Sequence, residues 1–161
     1  MQKVGFGGGC HWCTEAVFQS LKGVKKVEQG WIRSSLPDAL RESEAVIVHF
    51  DKQIIPLDVL IEIHLLTHHA TSNHTFRTKY RSAVYTFSQS QEAQAELILE
   101  QKQALFTKPL VTQVYPFQSF KGNLDKYLNY YQQNPDKPFC KTYIEPKLQM
   151  LMKAYKAHTN M

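Results

Sequence analysis

Short apolar, partly β-branched runs alternate with segments of helical period along this chain, and their order leaves few folds open. Lys3 to Gly8 reads as a strand ending in a glycine turn. In "CHWCTEAVFQSLKG" that follows, Trp12, Ala16, Val17 and Leu21 fall on one side of a helix, with Gly23 as its C-terminal cap. Residues 24–33 are extended, "SSLPDALRES" is a polar connection, and "EAVIVHFD" from Glu44 to Asp51 is an apolar strand. Pro56 stands near the first position of a helix, "PLDVLIEIHLLTHH", and "YRSAVYTF" is the next strand. Beyond these come a helix capped by Ser88 or Ser90, a last strand "LVTQVYPF", a tyrosine-rich helix "NLDKYLNYYQQN" and a C-terminal helix "PKLQMLMKAYK". The order strand–helix–strand–strand–helix–strand predicts an α+β fold, a ferredoxin-like split βαβ plait with additional helices and a C-terminal extension.

The length of 161 residues suits one domain, residues 1–161, with its own core. A hydrophobic fraction of 43% and a charged fraction of 20% argue against long disorder. The net charge of +5 is spread along the chain, with "KGVKK" its densest cluster, so nucleic-acid binding is not expected. No apolar run reaches the length of a membrane span, and strand-like sequence begins directly after residue 3. A soluble cytoplasmic monomer is expected.

Three cysteines, Cys10, Cys13 and Cys140, make a static disulfide framework unexpected and leave chemistry or packing. Cys10 stands where a glycine-rich turn enters a helix, near unpaired backbone N–H groups and the positive end of the helix dipole, which favours a thiolate. Cys10-His11-Trp12-Cys13 also has the spacing of thiol–disulfide exchangers. Zinc held by Cys10 and Cys13 with His64, His68, His69 or His74 is a third reading, weakened by the lack of a second cysteine pair or an HExxH glutamate. No metal or other cofactor is expected. Glu44 opens an otherwise apolar strand, where desolvation favours the protonated carboxyl, a usable general acid. Tyr80, just before a strand, could donate a hydrogen bond to a bound oxygen. Neither residue earns a role alone.

Together these segments resemble the A-type peptide-methionine sulfoxide reductases. "GGGCHWCTEAVFQSLKGV" is similar to the family's nucleophile segment, usually GGCFW followed by a glutamate and a helix, and "SEAVIVHFD" to the segment of its catalytic glutamate. "KYRSAVY" matches its Q-Y-R-S-A-[IV]-Y strand, and "YYQQNPDKPFCKTYIEPKL" its NPxxPYC…IxPK ending. The resemblance implies that Cys10 attacks a sulfoxide sulfur, Glu44 protonates the departing oxygen, Tyr80 holds that oxygen, and Trp12, with His11 beside it, walls the pocket for the S-methyl group. It further implies methionine-(S)-sulfoxide, free or in proteins, as substrate. Cys10 would become a sulfenic acid, a resolving thiol would form a disulfide, and thioredoxin would reduce it. Cys140 matches the family's distal cysteine and is preferred as the resolving thiol over Cys13.

The departures from the family pattern are specific. His11 replaces the usual phenylalanine and brings a group that titrates near neutral pH. The loop that usually carries GYxGG and an oxygen-binding tyrosine is shortened to "GWIRSSLPDALRES". The acidic residue usually found before Tyr80 is absent; "SNHTFRT" stands there, with His74 as an alternative donor. Two other readings stay in play, a CxxC thiol–disulfide oxidoreductase and a diverged binding module without turnover.

Overall fold

The computed structural model describes residues 1–72 and 80–160. Strand β1 (Gln2–Gly7) leads into helix α1 (His11–Gln19), then β2 (Val24–Ser34), β3 (Ser43–Phe50) and α2 (Leu57–Thr67). Strand β4 (Ala83–Thr86), α3 (Gln89–Lys102) and β5 (Gln113–Gly122) follow, and α4 (Tyr130–Gln133) and α5 (Glu145–Ala154) complete the order. This is a mixed α/β fold. Among the described residues no helix is long and apolar enough to cross a membrane.

The five strands of the described residues close into a barrel in the order β1-β3-β2-β5-β4. All pairs are antiparallel except β4 with β5, which run parallel because α3 crosses between them. Closure depends on β5, which pairs with β2 at one edge and β4 at the other. It also explains why β3 is apolar nearly throughout. Successive side chains alternate faces: Ala45 and Ile47 join Ile32, Ala83, Tyr85 and Tyr115 in one cluster. Val46, Val48 and Phe50 join Val4, Phe6 and Val84 in a second cluster with α1 and α2. Both faces of the central strand are buried, so alternation is hidden in the sequence.

Two sequence expectations are corrected. Gly23 does not cap α1: the helix ends at Gln19 with Ser20 as its cap, and Gly23, at φ +90°, makes the later turn into β2 against Ile54 and Ile55. The C-terminal tail holds that helix end, with Lys22 N–H donating to the His158 carbonyl at 2.7 Å and Asn160 N–H to that of Ser20 at 2.8 Å. The tyrosine-rich helix is broken into a 3-10 turn, Asp125–Tyr127, and the single turn of α4. Asn129 between them is left-handed at φ 53°, and its N–H and that of Tyr130 turn inward to the Glu15 carboxylate at 3.0 and 3.2 Å. Ser88 is the cap of α3, accepting from Gln91 N–H.

Candidate active site

Strand β1 ends at Gly7 between Ala45 of β3 and Ala83 of β4, and there the backbones crowd. A Cβ on Gly7 would stand 2.8 Å from the Arg81 carbonyl oxygen and 3.1 Å from that of Glu44, so only glycine fits. One end of the barrel thus receives the turn into α1, Glu44 of β3, and the chain at Arg81. Arg81 N–H donates to Ser43 Oγ at 2.7 Å, tying that segment to the residue before Glu44. Tyr80, half-buried, adjoins Arg81 at this edge. His74 lies outside the described residues.

Cys10 is the N-cap residue of α1, partly exposed, with its carbonyl accepting from the N–H groups of Cys13 and Thr14 at 3.1 and 3.2 Å. The space beside the preceding Gly9 is open, since a Cβ there would meet nothing within 4 Å. The first backbone donor of the helix, His11 N–H, reaches Glu44 Oε1 at 3.2 Å. Glu44 is 5% exposed, so its carboxyl is held out of water at the positive end of the helix, one residue along the chain from Cys10.

The two thiols at the start of α1 act on one another. Cys10 and Cys13 share a hydrogen bond, and that bond pushes the Cys10 thiol well up, with burial and the charge of Cys13 adding to it; Trp12 N–H pulls the other way. The same bond holds Cys13 below the ordinary thiol range, helped by the Lys147 ammonium and opposed by burial and by Glu44. The two thiols therefore lose their protons as a pair rather than as two separate groups. Cys140, at the start of a π-helical turn, is fully buried; burial and then the charge of Cys13 push its thiol up.

His11 is 5% exposed. Its Nδ1 donates to the Gly30 carbonyl at 3.1 Å, its Nε2 stands 3.4 Å from Glu44 Oε1, and its ring meets the Trp31 ring at 5.2 Å in an edge-on contact. Trp12 stacks on Tyr130 with 3.9 Å between ring centroids, and Phe139 meets it edge-on at 5.5 Å. Trp12 thus belongs to a three-ring cluster, one member of which directly precedes Cys140.

Sequence reasoning missed Tyr130 and Phe139, and also Glu15, Gln29 and Asn123. Glu15 is 2% exposed, and its one signal was a carboxylate on the apolar side of α1. Two of the histidines weighed as zinc ligands hold other partners: His64 Nε2 donates to the Gly7 carbonyl at 2.7 Å, and His68 Nε2 meets Ser82 Oγ at 2.7 Å. Among the described residues no group of three or more histidine, cysteine or acidic side chains is placed to hold a metal ion.

Residues 2–160 match the family described as "Peptide methionine sulfoxide reductase". The chain belongs to that family. It is 38% identical over 165 residues to the peptide methionine sulfoxide reductase MsrA of Deinococcus radiodurans, an alignment covering 93% of this chain and 80% of that protein. Its fold is similar to the solved structure of methionine sulfoxide reductase A of Corynebacterium diphtheriae, with a TM-score of 0.71, 22% identity, and coverage of 83% and 75% of the two chains. Mxr1 from Saccharomyces cerevisiae, solved in complex with Trx2, is also similar, with a TM-score of 0.61, 18% identity and coverage of 80% and 84%. In this family member the glycine turn and Glu44 meet at one helix end, joined through the His11 N–H.

Proposed function

We propose that the protein reduces methionine-(S)-sulfoxide, free or in proteins, with Cys10 as nucleophile, Glu44 as proton donor and Tyr80 as a hydrogen-bond donor to the sulfoxide oxygen. The observation that carries this reading is the Glu44 carboxyl held against the N-terminus of α1, beside the residue whose thiol must attack. Trp12, with Tyr130 and Phe139 packed on it, supplies the apolar surface for the S-methyl group.

The first step balances with the groups in place. Cys10 sulfur attacks the sulfoxide sulfur while its proton passes to the Cys13 thiolate, and Glu44 gives its proton to the oxygen. The bond between the substrate sulfur and oxygen then breaks, the protonated oxygen transfers to the Cys10 sulfur as the bond between the two sulfurs breaks, and methionine leaves. Cys10 is now a sulfenic acid, and the substrate sulfur has gained the two electrons that Cys10 lost. Cys13 lies in the first turn of the helix that Cys10 caps, so it condenses first, forming a Cys10–Cys13 disulfide and water. Cys140, within electrostatic reach of Cys13, then attacks Cys13 and releases Cys10 as a thiolate. Thioredoxin reduces the Cys13–Cys140 disulfide, a reading supported by the Mxr1–Trx2 complex of a protein with this fold. This order uses both candidate resolving thiols instead of Cys140 alone.

The strand order β4-β1-β3-β2 supports the ferredoxin-like split βαβ plait, with β5 added to close it. We read residues 1–161 as one domain acting as a cytoplasmic monomer.

A Cys10→Ser variant should form no methionine from a small sulfoxide; retained activity would overturn the reading. Cys140→Ser should still give one methionine per enzyme, lose thioredoxin-driven turnover, and yield a Cys10–Cys13 link on peptide mapping. A CxxC oxidoreductase would instead reduce insulin disulfides without sulfoxide.

A further inference from the structure

One carboxyl oxygen, two ring nitrogens and two amides meet at the start of α1, and backbone groups pin the ring and the amides. The Gly30 carbonyl can only accept, so His11 Nδ1 carries a proton. On the other side Asn123 Nδ2 lies 3.3 Å from His11 Nε2. The Asn123 amide has one orientation, because Leu124 N–H donates to its Oδ1 at 2.9 Å. Its Nδ2 also donates to Gln29 Oε1 at 2.6 Å, and Gln29 is itself oriented by donating from Nε2 to the Tyr127 carbonyl at 3.0 Å. An amide N–H aimed at Nε2 needs a lone pair there. Gly30 and Asn123 together therefore specify neutral imidazole with its proton on Nδ1.

Glu44 Oε1 stands 3.4 Å from that same Nε2. Two acceptors this close repel unless a proton lies between them, and Asn123 disfavours placing it on Nε2. The geometry points to His11 as a positioning residue that keeps the shared proton on Glu44, where the departing sulfoxide oxygen needs it. This rests on the reading of Glu44 as proton donor. Once Glu44 has given its proton away, the new carboxylate beside Nε2 draws a proton onto His11, which returns it to Glu44 before the next turnover. The cavity of about 500 Å³ lined by Gln29 and Asn123 brings solvent to the outer side of this chain.

The described groups facing the pair come from several elements. From α1 come Cys10 and Cys13. From β2 come the Gly30 carbonyl and the Trp31 ring, and beyond β5 the neutral Asn123. From β3 comes Glu44 itself. A phenylalanine at position 11 would leave the backbone N–H on Glu44 and remove the acceptor of its proton.

The test uses nitrogen-15 NMR of His11 in the reduced protein, together with the pH profile of methionine formed in a single turnover. The expected resting state is the neutral Nδ1–H tautomer, and Asn123→Leu should raise the pH at which His11 becomes doubly protonated. His11→Phe should move the alkaline limb of the single-turnover profile down by about one pH unit, a tenfold loss at a fixed pH on that limb. An Nε2–H tautomer or an imidazolium at neutral pH would overturn the proposal. So would a His11→Phe profile that is lower at every pH with its limb unmoved, the mark of a packing role. Absence of methionine formation by the unmodified protein would instead sink the functional reading, and the tautomer measurement would still decide this one.

Discussion

Glu15 and Glu44 are both nearly buried carboxylates that accept backbone N–H groups from a distant part of the chain, yet they sit in opposite kinds of site. Glu15, on α1, receives the N–H groups of Asn129 and Tyr130, and Gln29 adds a third hydrogen bond. Those partners cannot titrate, so the carboxylate works as a clamp on the C-terminal segment. Glu44 receives one N–H from α1 and faces His11, a group that can take or hold a proton. Burial alone does not make a carboxylate chemical. The ability of its partner to exchange a proton does.

Substitutions at the two positions should separate these roles. Glu44→Gln keeps size and hydrogen bonding but has no proton to give, so the single-turnover rate should fall about 100-fold or more, with little change in denaturation midpoint. A small loss of rate would break the contrast. Glu15→Leu leaves the N–H groups of Asn129 and Tyr130 without their acceptor and should cost about 3 kcal/mol in chemical denaturation, with a smaller loss of rate than Glu44→Gln. The smallest effect is in pH. Burial pushes the Glu15 carboxyl up, against the opposing pull of Asn129, Tyr130 and Gln29. Its folded form binds the proton more tightly than the unfolded chain does, so its contribution is greatest below the ordinary carboxylate range and is lost as pH rises through the raised value. Relative to Glu15→Gln, the wild-type melting temperature should therefore decline across the mildly acidic range; a parallel course would deny the shift.

Much of this molecule was legible from local pattern. The strand ending at the glycine turn, the helix opening at Cys10, the buried run from Glu44 and the Ser88 cap all appear where backbone periodicity and turn chemistry place them. The misreadings have one physical source. Gly23 reads as a helix cap and "NLDKYLNYYQQN" as a helix until contacts with the C-terminal tail and with Glu15 outweigh local preference. The length of β5 was missed for a related reason: its outer half gains its pairing only from β2, far earlier in the chain.

The sequence by itself determined that a cysteine stands at a helix start behind three glycines, that an acidic residue opens an apolar strand, and that these belong to one family pattern. Neighbours along the chain suffice for that. Only the tertiary structure decided that Cys140 is buried in the core and that the histidine at position 11 turns its ring to Glu44 and Asn123. Which group holds a proton depends on distances of about 3 Å between residues far apart in sequence, and those exist only once the barrel has closed.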